Sequence, residues 1–107
     1  MNLKKLSLTG GRRHTLRQAL AEQAANMPAD MTKPYRDTIK QLDELPEGAD
    51  RIKLMDHQVS IVKNALRQHD CGASIHEHDL VCDMIAQLTL TRKAYAERWR
   101  TCYIAHR

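Results

Sequence analysis

The spacing of apolar residues in the second half of the chain constrains the fold most strongly. Within residues 51–70, apolar side chains recur at intervals of three and four, at Ile52, Met55, Val59, Val62 and Leu66. A second series with the same intervals runs through residues 75–104. This spacing places each series along one face of a helix, as in a coiled coil. The pattern predicts two long helices, over about residues 51–70 and 75–104.

The stretch between the two series predicts a tight turn. Gly72 is placed to end the first helix, and Ser74 with Glu77 forms the S-x-x-E capping box that begins the next one. A connection this short forces neighbouring helices to run antiparallel. The sequence therefore predicts a long antiparallel helical hairpin.

The first half of the chain predicts two shorter helices. Thr15 and Gln18 fit a capping box at the start of the first helix, and Pro34 suits the first turn of the second. The stretch "LPEGAD", residues 45–50, then breaks the helical pattern. Residues 1–11 are ambiguous and form either a brief strand or a flexible, extended arm.

Composition favours an all-α, bundle-like fold. The chain has 107 residues with no Phe and few runs of β-branched residues, so a sheet-based fold is not expected. We expect one domain over residues 1–107, in which the hairpin packs with the two N-terminal helices. A chain of this length buries a thin core, and a homodimer through the C-terminal tail would enlarge it.

Charge is distributed unevenly along the chain. Residues 1–29 carry five Lys and Arg against one Glu, and residues 91–107 carry five against one. Residues 30–90 carry seven basic against eleven acidic side chains. If the fold brings the basic ends together, they form a positive surface that suits a phosphate backbone or an acidic protein.

The C-terminal tail is the first candidate binding surface. Its three aromatic residues recur every four positions and alternate with basic residues, which is typical of protein interfaces. We predict that partner binding uses six of these side chains: Arg92, Tyr95, Arg98, Trp99, Arg100 and Tyr103. The competing interpretation is an aromatic stripe that packs on the first helix beside solvated basic residues.

The N-terminal segment is the alternative binding surface, for nucleic acid. Cationic side chains that contact phosphates supply most of the affinity of sequence-independent binding to nucleic acid. Five such side chains occur early in the chain: Lys4, Lys5, Arg12, Arg13 and Arg17.

A group of His and Cys residues around the turn suggests a further alternative, a structural zinc module. The candidate ligands are His69, Cys71, His78 and Cys82. His78 and Cys82 are four residues apart and share a helical face, but the spacings match no common zinc pattern. The competing interpretation is a hairpin turn whose polar residues face solvent.

Several function classes are not expected. The chain has no Gly-rich phosphate loop and no G-x-S-x-G, and "HEH" at residues 76–78 is not H-E-x-x-H, so catalysis and a cofactor are not expected. Three cysteines without an apolar signal segment favour the cytoplasm, and no apolar run is long enough for a membrane span. We therefore expect a non-catalytic regulator or inhibitor that binds a protein or nucleoprotein complex.

Overall fold

The computed structural model describes residues 3–70, 72, 74–91 and 93–97. The elements in chain order are β1 (Lys4–Ser7), α1 (Arg12–Ala25), a 3-10 turn (Ala29–Met31), α2 (Lys33–Asp43), β2 (Arg51–Leu54), α3 (Asp56–Asp70) and α4 (Ile75–Thr89). Residues 93–97 are again helical. The prediction of an all-α fold is confirmed in part: the chain is mostly helical, but β1 and β2 form a small sheet.

The two strands pair antiparallel, from Lys4 opposite Leu54 to Ser7 opposite Arg51. Successive side chains in a strand point to opposite faces. Accordingly, Leu6 and Ile52 enter the core with at most 1% of their surface exposed, while their neighbours Lys5, Arg51 and Lys53 are exposed. Of the two outcomes predicted for residues 1–11, the structure therefore has the brief strand.

The predicted helix over residues 51–70 starts too early. Residues 51–54 form β2, and α3 begins at Asp56. The N–H group of Met55 donates to Oε1 of Gln58 at 3.0 Å, which satisfies a backbone donor at the start of the helix. The strand forms because Ile52 and Leu54, two residues apart, both reach the core beside Leu6.

The predicted helix over residues 75–104 is also interrupted. α4 ends at Thr89, and Leu90 has an extended backbone (φ −90°, ψ 154°). Oγ1 of Thr91 then accepts a hydrogen bond from the N–H group of Ala94 at 3.2 Å, which caps the helical segment 93–97. Residues 98–104 of the predicted helix lie outside the described residues.

The turn of the predicted hairpin is confirmed. Oγ of Ser74 accepts a hydrogen bond from the N–H group of Glu77, as the capping box requires. The N–H group of Gly72 donates to the carbonyl of His69 at 3.2 Å. α3 and α4 pack against each other, and Val62 of α3 and Val81 of α4 are fully buried in the core. α1 packs against α2, α3 and α4. Within the described residues, every helix is too short or too polar to cross a membrane.

Candidate functional site

A groove of about 850 Å³ runs beside β1. One side consists of residues in and next to the sheet, and the other of Gln87 of α4 and residues that follow α4. The residues that matter for its chemistry are Lys4, Lys5, Ser7, Arg51, Leu90 and Tyr95. The groove therefore lies where the N-terminal strand meets the break after α4.

The exposed face of the sheet carries three cations, Lys5, Arg51 and Lys53, which we call the basic sheet face. Lys5 lies directly opposite Lys53, and like charges in this position destabilise a sheet. Neither lysine forms an ion pair within the described part of the chain. Arg51 lies 3.7 Å from Asp50, but both side chains are more than half exposed, so this pair is weak. The face therefore presents positive charge to solvent.

Two exposed apolar side chains lie at one end of this face. Leu3 directly precedes β1 and Met55 directly follows β2, and they are 46% and 40% exposed. Leu3 also lines the groove. Continuing the strand register by one position places these two residues opposite each other. The surface thus combines charge with an apolar end.

Asp83 of α4 holds the elements around the groove together. Its side chain is 6% exposed and accepts hydrogen bonds from Arg12 (2.9 Å), Gln87 (2.7 Å) and the hydroxyl of Tyr95 (2.5 Å). Oε1 of Gln87 in turn accepts the N–H group of Ser7 at 2.9 Å. One buried carboxylate therefore connects α1, α4, β1 and the helical segment 93–97.

Most of the cations predicted to bind nucleic acid make contacts within the fold. Lys4 donates to a backbone carbonyl of α4, and Arg13 donates to three carbonyls at and after the end of α2. Arg12 pairs with Asp83, and Arg17 forms two hydrogen bonds with Asp43 that hold the pKa of this carboxyl below its usual range. Lys5 alone of the five belongs to the basic sheet face.

Of the six residues predicted for partner binding, Tyr95 is described. Tyr95 lines the groove together with Lys5. The groove therefore contains a residue predicted for partner binding and a residue predicted for nucleic-acid binding. The other five lie outside the described residues: Arg92, Arg98, Trp99, Arg100 and Tyr103.

Of the four candidate zinc ligands, the three that the structure describes, His69, His78 and Cys82, do not form a metal site. His69 is buried, and its two ring nitrogens contact Glu22 (3.0 Å) and Glu77 (2.9 Å) instead. Burial alone would lower the pKa of His69, but hydrogen bonds to the two carboxylates raise it above the usual value. Cys71 lies outside the described residues. Elsewhere in the described ranges, no three His, Cys, Asp or Glu side chains are arranged to hold a metal.

His78 and Cys82 do lie together, with His78 Nε2 at 3.4 Å from Cys82 Sγ. The other nitrogen of this ring, Nδ1, lies 2.7 Å from Oδ1 of Asp70. The sequence predicted the contact between His78 and Cys82 from their spacing but gave no sign of the carboxylate.

Sequence reasoning missed two residues of the basic sheet face, Arg51 and Lys53. Residues 51–54, "RIKL", alternate between basic and apolar side chains, which is the pattern of a strand with one buried face. The spacing of three between Ile52 and Met55 favoured a helix and obscured this alternation.

The chain matches no protein-family model, no curated protein and no solved structure.

Proposed function

We propose that the protein is a small non-catalytic regulator or inhibitor that binds an acidic region of a protein or nucleoprotein partner. The basic sheet face and the groove beside it form the binding surface. The observation that carries this proposal is the direct pairing of Lys5 with Lys53. Such a pair costs the sheet on the order of 0.5 kcal/mol, and a bound carboxylate offsets the repulsion.

A side chain in the wall of the groove, Tyr95, also supports the proposal of a macromolecular partner. Tyr95 is half-buried, and its hydroxyl is held by Asp83, so the ring is oriented before any partner arrives. A side chain that is already ordered loses little conformational entropy on binding. Tyrosine and arginine are enriched among the residues that dominate protein interfaces, and both line this groove.

An acidic protein surface is favoured over a nucleic acid as the occupant. Arg12, Arg13 and Arg17, which a phosphate-binding N-terminal segment would use, already bind groups of the protein itself. The remaining basic face is short, with two strands of four residues each. A protein segment with several carboxylates can contact the three clustered cations on a surface of this size. Exposed Leu3 and Met55 offer apolar contact beside them.

Charge reversal on the sheet tests this proposal. The tagged protein, the variant Lys5→Glu/Lys53→Glu and the control Lys33→Glu/Lys40→Glu are each used to capture partners from a lysate of the source cell, with and without nuclease. The face variant keeps a like-charge pair, so the sheet retains its stability. Lys33 and Lys40 lie on α2 and are 85% and 77% exposed, which makes them a matched control.

We expect the wild-type protein and the control to capture the same partner after nuclease treatment, and the face variant to lose it. Capture that disappears on nuclease treatment of the wild-type complex supports the nucleic-acid alternative instead. Capture that survives in the face variant contradicts the assignment of the binding surface to the sheet.

A further inference from the structure

The outer edge of β1, on the side away from β2, has backbone groups that a further strand can use. The N–H group of Leu8 donates to the carbonyl of Asp50 at 2.8 Å, so these two residues form a bonded pair of the antiparallel ladder. Bonded and non-bonded pairs alternate along such a ladder, and the backbone groups of the non-bonded residues point away from the partner strand. The N–H and carbonyl groups of Lys5 and Ser7 are therefore directed away from β2.

Two side-chain contacts agree with this assignment. The N–H group of Ser7 donates to Oε1 of Gln87 at 2.9 Å on the outer side of β1. On the outer side of β2, Nε2 of Gln41 donates to the carbonyl of Lys53 at 2.8 Å. At Lys5, by contrast, no hydrogen-bond partner for the backbone lies on the outer side among the residues that the structure describes. The edge of β1 thus keeps an open donor and an open acceptor at Lys5.

The groove lies along this edge. Leu3, Lys5 and Ser7, which alternate along the strand, line one side, and Tyr95 lines the other. An edge strand with open backbone groups is a template on which another extended chain can pair, and peptide-binding domains use such edges. The position of the groove therefore gives an extended segment access to the backbone of β1.

Charge decides which extended segment this edge accepts. Lys5 and Arg51 both line the groove, and the carboxylate of Asp50 lies 3.7 Å from Arg51. A second copy of β1 would bring two more lysines to the edge, and residues 98–107 contain three Arg and no Asp or Glu. Like charges directly opposite each other destabilise a sheet. The complementary occupant is an acidic segment of another protein.

We propose that an extended acidic segment of the partner adds to β1 as a third, antiparallel strand. This inference rests on the proposed function and specifies how the partner binds. In antiparallel pairing, one residue of the partner exchanges both of its backbone hydrogen bonds with Lys5, the position where both groups are open. Its side chain lies on the same face as that of Lys5, so we expect Asp or Glu there. A second carboxylate two residues along the segment lies beside Ser7, which is paired with Arg51.

Hydrogen exchange of the isotopically labelled protein, followed by NMR during a peptide titration, tests this inference. The probe is the terminally blocked peptide Glu-Thr-Glu-Thr-Leu, in which the central Glu pairs with Lys5 and the Leu with Leu3. Threonine at the other positions favours a strand. We expect exchange of the Lys5 N–H group to slow about tenfold or more at saturation. The N–H group of Leu6, which already belongs to the ladder with β2, should change less.

Matched changes separate the backbone bonds from the charge. Methylation of the N–H group of the central Glu removes one donor and keeps both carboxylates, and it should weaken binding about fivefold or more. Lys5→Pro and Lys5→Thr both remove the lysine charge, but only proline also removes the N–H group. Because this N–H group lies outside the ladder, an edge strand tolerates proline there. Lys5→Pro should bind the peptide about fivefold more weakly than Lys5→Thr.

The outcomes distinguish this inference from the proposed function. Binding that depends on the carboxylates of the peptide but leaves exchange at Lys5 unchanged overturns the third strand, while the basic sheet face remains the binding surface. Equal affinities of the methylated and unmethylated peptides have the same meaning. Absence of binding at millimolar peptide also overturns the third strand, and the capture experiment then decides the proposed function by itself.

Discussion

Two lysines, Lys5 and Lys53, lie directly opposite each other on the exposed face of the sheet, and like charges in this position oppose stability. In the proposed function, the same pair attracts an acidic partner. Lys5→Glu creates an opposite-charge pair, so we expect the free energy of unfolding to rise by about 0.5 kcal/mol. The same change should weaken partner binding. Urea unfolding and binding to the captured partner measure the two effects. A variant that is less stable, or that binds as well as the wild type, contradicts the role given to this pair.

His69 makes stability depend on pH. Its pKa is raised in the folded protein because the carboxylates of Glu22 and Glu77 contact its ring, which outweighs its burial. A raised histidine pKa adds stability that is fully present below the unfolded value of about 6.5 and is lost as pH rises through the folded value. We therefore expect the free energy of unfolding to fall as pH increases across this range.

Unfolding in urea from about pH 6 to about pH 8.5 checks this dependence. His69→Gln should show a flatter profile, whereas His57→Gln, at an exposed position in α3, should retain the wild-type slope. The same slope in His69→Gln and the wild type would show that other groups cause the dependence.

At the scale of the elements, the hairpin turn was predictable because its signals are local. Gly72, Ser74 and Glu77 lie within a few residues of each other, and Ser74 caps the helix as expected. The side chain of Glu77 contacts His69 rather than the N–H group of Ser74. The strands were harder to predict, because the local pattern left alternatives open. Residues 1–11 allowed a strand or an arm, and the alternation of residues 51–54 competed with a helical spacing. Pairing of the two strands and their shared burial decide between these alternatives, and neither is a local property of the sequence.

The candidate site was also predictable only in part from the sequence. Lys5 and Tyr95 could be proposed from their side-chain chemistry alone, but Arg51 and Lys53 could not. Which side of the sheet these two residues occupy depends on the register with β1, and the register is a tertiary property. The same reason explains Asp70, which reaches His78 only after the hairpin has closed.

The contribution of the α4 cap to stability can be tested by substitution. Ser74→Ala removes the side-chain oxygen that accepts the N–H group of Glu77, so we expect a loss of about 1 kcal/mol in unfolding free energy. Ser60→Ala, at an exposed position inside α3, is the control and should cost nothing, because alanine favours a helix interior. Thermal or urea unfolding distinguishes the two. Equal effects of both substitutions would mean that the cap does not stabilise the hairpin.

For the molecule as a whole, Asp83 is the contact on which the arrangement of the groove depends. Its carboxylate joins Arg12, Gln87 and Tyr95, which belong to three different helical segments. Asp83→Ala leaves the largely buried guanidinium of Arg12 without its partner, and we expect a loss of about 3 kcal/mol.

A double-mutant cycle measures this coupling. Arg12→Met in the Asp83→Ala background removes the uncompensated charge, so the double variant should be more stable than Asp83→Ala alone. Strictly additive effects of the two substitutions would contradict a direct interaction between these side chains.

In the proposed function, an acidic partner binds to the basic sheet face. Zero-length cross-linking with a carbodiimide, applied to the complex captured from the lysate, tests it most directly because it joins lysines to carboxylates only where they touch. We predict cross-links from Lys5 or Lys53 to Asp or Glu residues of the partner. Cross-links confined to lysines of the helices, such as Lys33 and Lys40 of α2 or Lys63 of α3, with Lys5 and Lys53 unmodified, would contradict the claim.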